Sequence, residues 1–141
     1  ALIALYCLRW QIEVFHKILK SGCRVEQAQF KTAERLRPRI ALQMVVAWRI
    51  HHVTLAGRAC PDLPCGILFD SCEWKPVVVV VRGKGAETTE PTLAEMIHYI
   101  GQLGGHLNRR SDGPPGPQTI WRGMQRMHDF AILWQAWDKG P

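Results

Sequence analysis

The chain has 141 residues, 47% of them hydrophobic, which is enough for one buried core and sets a single domain as the default. A net charge of +6 and a pI near 9.4 point toward a polyanionic partner, and no apolar run approaches the ~20 residues that span a bilayer. From Lys31 to Arg58 there are six basic residues and one acidic, so this segment carries +5 of the total as either a solvated helix face or a set of phosphate contacts.

The opening ALIALYCL lacks a basic leader and a small-residue cleavage pattern, so it does not read as a signal peptide; it reads as part of something longer. From there to Lys20 the spacing predicts a helix. Tyr6, Arg9, Glu13, Lys17 and Lys20 follow at steps of three, four, four and three and share one stripe. Leu5, Leu8, Ile12, Phe15 and Leu19 share the opposite stripe, which is expected to face a core. Read without further context, the polar stripe is a solvated face in which Glu13 pairs with Arg9 and Lys17 one turn away, each pair adding a few tenths of a kcal/mol. That reading leaves Tyr6, and one carboxylate among three cations, without a role.

Ser21 to Cys23 breaks the first helix, and Thr32 is an N-cap for a second running to about Ala56, before Gly57. Its apolar residues, among them Leu42, Met44, Val45 and Trp48, cover most of the circumference, which predicts a central helix packed on more than one side. Pro38 kinks it or marks where its regular part begins. CPDLPCG (60–66) reads as a loop or short helical turn. At Ser71 a cap points to a helix, whereas the five valines Val77–Val81 favour a strand, and the sequence leaves both open. Residues 82–91 form a polar, glycine-bearing loop. Thr92 to Glu95 is a capping box whose helix ends at Gly104 and Gly105. SDGPPGPQ (111–118) is an extended connector, and the last helix runs from about Thr119 to Trp137. It carries more apolar surface than one face can bury, so it is either central or the contact with another chain. For that contact the sequence singles out Trp121, Met124 and Met127.

The five cysteines (7, 23, 60, 65, 72) match no paired zinc-knuckle spacing, even with His51 or His52 as a fourth ligand. Buried, reduced thiols in a cytosolic protein are the expectation.

Tyr6-x2-Arg9-x3-Glu13-x6-Lys20, within RWQIEVFHKILKSGC, resembles the Tyr-Arg-Glu-Lys signature of the insertion-sequence-four (Tn-five-like) family of bacterial cut-and-paste transposases. Glu73-Trp74, the LGG at 103–105 and SDGPPGPQTIWRGMQRM (111–127) extend the likeness over nearly the whole chain. The resemblance implies a mainly α chain in two parts. Residues 1–30 would be the last helix of a ribonuclease-H-like catalytic core whose sheet lies elsewhere, and residues 31–141 a helical C-terminal dimerisation domain. It further implies that Glu13 is the glutamate of a two-aspartate, one-glutamate set that holds two Mg2+ (or Mn2+) ions for phosphodiester cleavage and joining. Tyr6, Arg9, Lys17 and Lys20 would contact the phosphates of a transposon end. DNA and a second copy of the chain would be its partners, and the bacterial cytoplasm and nucleoid its location.

The family's two aspartates precede the signature, whereas Asp62, Asp70, Asp112, Asp129 and Asp138 all follow it. One glutamate does not hold a metal pair, so this chain alone is expected neither to cleave nor to join DNA and to bind no metal tightly. The alternatives are a helical self-association module or transposase remnant with nonspecific DNA affinity, and an unrelated basic helical module whose DNA binding is salt-sensitive.

Overall fold

The computed structural model describes residues 3, 6, 9–27, 29–109 and 112–138. Among these the regular elements are all helical: α1 (Trp10–Lys17), α2 (Ala33–Ala59), α3 (Ser71–Arg82), α4 (Leu93–Leu103) and α5 (Pro117–Asp138). A π-helical turn (Ile18–Gly22) and three short 3-10 turns join them, and the described residues form one isolated bridge, Pro64 with Thr92, in place of a sheet. The chain divides into two compact units, 1–52 and 53–141, with the division falling inside α2. No described helix is long and apolar enough to cross a membrane.

In the first unit the opening segment departs from one continuous α-helix. Arg9 sits at a turn closed by three-residue bonds, its N–H to Tyr6 O and its carbonyl to Ile12 N–H, each 3.0 Å. After α1 the backbone widens into the π-turn, sealed by Cys23 N–H to Ile18 O at 3.0 Å. The covered side of α1 comprises Gln11, Val14, Phe15 and Ile18, of which Ile18 is fully buried. Phe15 and Leu19 of the expected stripe are half-buried, whereas Ile12 is 56% exposed instead of facing a core. Leu5 and Leu8 lie outside the described residues, as does Cys7.

Helix α2 begins after Thr32 as expected, but it continues through Gly57 to Ala59. Gly57 serves close packing there and not termination: a Cβ on it would overlap the Ile97 side chain of α4. The sequence predicts packing on more than one side, and among the described residues one side is covered. Gln43, Ala47, Ile50 and Val53 are buried along one side, while Leu42, Val45 and Trp48 are between 58% and 67% exposed on the other. Trp48 stacks on the His52 ring, 5.0 Å between centroids, and stays open on its other side. Gln43 donates from Nε2 to Cys23 O at 3.0 Å, tying α2 to the turn after α1.

The second unit packs α3, α4 and α5 together around Phe69, Trp74, Val77, Met96, Ile100, Ile120 and Met127, all buried. The valine run is helical. Its start is fixed where Asp70 N–H donates to Glu73 Oε2 at 3.2 Å, and Trp74, Val77 and Val78 then repeat at helical spacing on the buried face. Burial of that stripe outweighs the modest β preference of valine. Helix α4 opens with the expected capping box: Thr92 N–H donates to Glu95 Oε2 at 3.0 Å and Glu95 N–H to Thr92 Oγ1 at 3.3 Å. The segment before it is strapped to the 60–66 loop through Cys65 N–H to Pro91 O at 2.9 Å and Leu93 N–H to Leu63 O at 2.8 Å.

The thiols are less uniform than expected. Cys23 and Cys65 are buried, Cys72 is half-buried and Cys60 is exposed. Burial, with the carboxylate of Glu90 nearby, pushes the Cys65 thiol up to about 12.

Candidate functional site

Two regions carry the residues singled out by sequence, one in each unit. In the first, Arg9 stacks its guanidinium over the Tyr6 ring, 5.4 Å from the centroid, and reaches Glu13 with Nη2 to Oε1 at 3.6 Å. Tyr6, Arg9 and Glu13 therefore form one exposed cluster. Lys17, a turn further along α1, is exposed as well. Lys20 departs from the set: its Nζ pairs with Glu26 Oε1 at 3.4 Å. The π-turn is the reason, because its wider winding moves residues after Ile18 off the line that the 100° helix projects. Ser21 Oγ bonds to the Lys17 carbonyl and helps to hold that turn.

Glu13 is solvent-facing and is the only carboxylate of this cluster. Among the described residues no group of three or more His, Cys, Asp or Glu side chains is placed to hold a metal ion. Divalent cations such as Mg2+ take six oxygen ligands, of which a lone carboxylate already paired to arginine supplies one or two. These residues alone do not fit the metal pair.

In the second unit, Ile120, Met124, Met127 and Ala131 form the inner stripe of α5. Met124 and Met127 are 6% and 1% exposed, which corrects their assignment to a contact between chains: they pack inside their own unit. Trp121 is half-buried and keeps some accessible surface. The large apolar side chains left open on α5 are Ile132, Leu133 and Trp137, at 53%, 66% and 90% exposure. Trp134 and Trp137, with Val79 of α3, line a groove of about 390 Å3 edged by Lys84 and Glu87. The signal for this face was present in the sequence. Once 120, 124, 127 and 131 are taken as one inner line at steps of four, three and four, residues 132, 133 and 137 fall outside it.

The contact between α4 and α5 needs glycine. A Cβ on Gly123 would overlap the Ile100 carbonyl, and one on Gly104 the Thr119 carbonyl. Arg126 of α5 donates to the Leu103 carbonyl at the end of α4, a polar tie across the same contact.

Residues 45–134 match the family described as the transposase Tn5 dimerisation domain. The chain belongs to that family. The match takes in the C-terminal part of α2, all of α3 and α4, and α5 as far as Trp134, so the Tn5-type dimerisation domain accounts for nearly the whole second unit. No curated protein matches the chain. Membership makes the packed α3–α4–α5 unit a domain of a transposase family that is named for dimerisation.

Proposed function

We propose that this chain is the C-terminal part of a DNA transposase and pairs with a second copy through the distal half of α5. The match to a dimerisation domain supports this reading, and the single observation that selects the face is the exposure of Leu133 and Trp137, one helical turn apart. Large apolar side chains at that exposure gain most by burial against another chain, about 1.5–3 kcal/mol each. Of the three contacts expected from sequence, Trp121 alone remains accessible to such a partner.

The signature segment adds a second element to the reading. Glu13 contributes one carboxylate to a metal site completed by acidic residues that this chain does not supply. Arg9, Lys17 and Tyr6 contact DNA phosphates, with Lys20 joining them when it leaves Glu26. The exposed Tyr6-Arg9-Glu13 cluster supports this assignment, since an acid and its bases share one accessible side. Fluorescence anisotropy on a duplex carrying the transposon end tests it. Arg9→Gln with Lys17→Gln is expected to weaken binding and to lower the salt slope by roughly two charges' worth. Unchanged affinity and slope reject the DNA-contact role. A metal-dependent nicking assay on the chain alone is expected to show no cleavage, and clear activity would overturn the shared-site reading.

A further inference from the structure

A cavity of about 310 Å3 lies within the second unit, between the C-terminal end of α2, the middle of α4 and the loop from α4 to α5. It is separate from the exposed face of α5. Its polar lining includes Arg58, His98, His106 and Asn108, with the two imidazole rings edge to face at 6.5 Å between centroids. Its apolar lining includes Ile97, Pro115 and the buried Ile120.

The composition selects a ligand class. A guanidinium, two imidazoles and an amide line one opening; each side chain carries N–H donors, and the guanidinium adds a fixed positive charge suited to a phosphate. Asp112, the one carboxylate of the lining among the described residues, closes its own turn: its Oδ2 accepts the Arg109 N–H at 2.9 Å. Beside the donors, aliphatic side chains and a proline ring offer apolar surface against which a flat ring packs. At about 310 Å3 the cavity lies at the small end of ligand sites. A single nucleotide is a ring-bearing phosphate of that size, and DNA is the partner of the function proposed above.

We propose that this cavity binds one nucleoside 5′-monophosphate, with Arg58, His98 and His106 holding the phosphate and Ile97, Pro115 and Ile120 the base. The ligand is either a free nucleotide or the 5′-phosphorylated end of a DNA strand. The proposal rests on the family's link to DNA and is independent of which face makes the dimer.

Heteronuclear NMR of the full chain, titrated with thymidine 5′-monophosphate, thymidine or inorganic phosphate, tests it. The nucleotide is expected to shift the signals of Ile97, His98 and His106, and thymidine to bind at least about tenfold more weakly, as loss of a charge-assisted contact requires. Arg58→Met is expected to weaken the nucleotide about tenfold. Asp112→Asn keeps an acceptor for the Arg109 N–H and removes the opposing charge, so it is expected to tighten binding. No shifts up to about 10 mM nucleotide, thymidine binding as tightly as its phosphate, or full affinity in Arg58→Met would each overturn the proposal. A 5′-phosphorylated oligonucleotide that outbinds its 5′-hydroxyl counterpart identifies the strand end as the source. If only the free nucleotide shifts these signals, the free nucleotide is the source, and the site stands in both cases.

Discussion

Gly123 of α5 lies against the main-chain carbonyl of Ile100 in α4, so closely that a methyl group at Gly123 would occupy the position of that oxygen. In an open helix, replacing glycine by alanine gains up to about 1 kcal/mol. Here the backbone of a neighbouring helix cannot withdraw, and overpacking costs about 1–3 kcal/mol. Gly123→Ala is therefore expected to lower the urea midpoint, whereas Gly116→Ala, which meets nothing within 4 Å, is expected to leave it nearly unchanged. A more stable Gly123→Ala variant would contradict the α4–α5 contact.

Glu95 joins two structures. It caps α4 through the Thr92 N–H and pairs with Arg82 at 2.6 Å, while the Arg82 guanidinium lies 5.0 Å from the centre of the Tyr99 ring. The Thr92 backbone hydrogen bond first, and then the Arg82 charge, hold its carboxyl below the usual carboxylate range. A depressed folded pKa means that the unfolded chain binds the proton more readily. The stabilisation is thus fully present above the ordinary glutamate range, near pH 4.3, and is lost as pH falls through the lower folded value. Glu95→Ala is expected to cost about 1–2 kcal/mol at neutral pH, mostly from the cap because the ion pair is partly exposed. In chemical denaturation the gap from the parent chain should narrow below about pH 4. A gap that stays constant into acid would show that Glu95 acts only by packing.

The capping box and turn residues made α4 legible in the sequence, because each signal is local: Thr92 with Glu95 start it, and Gly104 with Gly105 end it; α3 is capped by Asp70, one position before the expected Ser71. The valine run was not decided locally, since its helix depends on burying Trp74, Val77 and Val78 against other elements. The candidate site shows the same division. Arg9 and Glu13 pair as their spacing implies, but Lys20 turns to Glu26 because a π-turn intervenes, and no side-chain spacing announces a π-turn. Met124 and Met127 were placed on the wrong side because apolar content alone does not distinguish a core stripe from a contact stripe.

The Lys20–Glu26 pair is two-thirds exposed on both sides and is worth no more than about 1 kcal/mol. Removing its acid frees a cation next to the signature cluster. Glu26→Gln is expected to raise affinity for duplex DNA by up to about fivefold, and Lys20→Gln to cancel that gain. Equal affinities for the parent and Glu26→Gln chains would exclude Lys20 from the DNA surface.

Thiol chemistry separates Cys60 from Cys65 only five positions away. Cys60 is exposed, whereas Cys65 is buried with its thiol raised to about 12, so at pH 8 roughly one Cys65 in ten thousand is thiolate. Peptide mapping after brief alkylation should find Cys60 labelled and Cys65 protected until denaturant is added. Equal labelling rates would contradict the packing of the 60–66 loop against the segment before α4.

The most direct test of the dimer reading is the solution mass of the chain by sedimentation, with and without the paired changes Leu133→Glu and Trp137→Glu. The parent chain is expected to sediment as a dimer, and the doubly substituted chain as a monomer with the same far-ultraviolet circular dichroism. A monomeric parent chain, or a substituted chain that keeps the dimer mass, would contradict the assignment of self-association to the exposed end of α5.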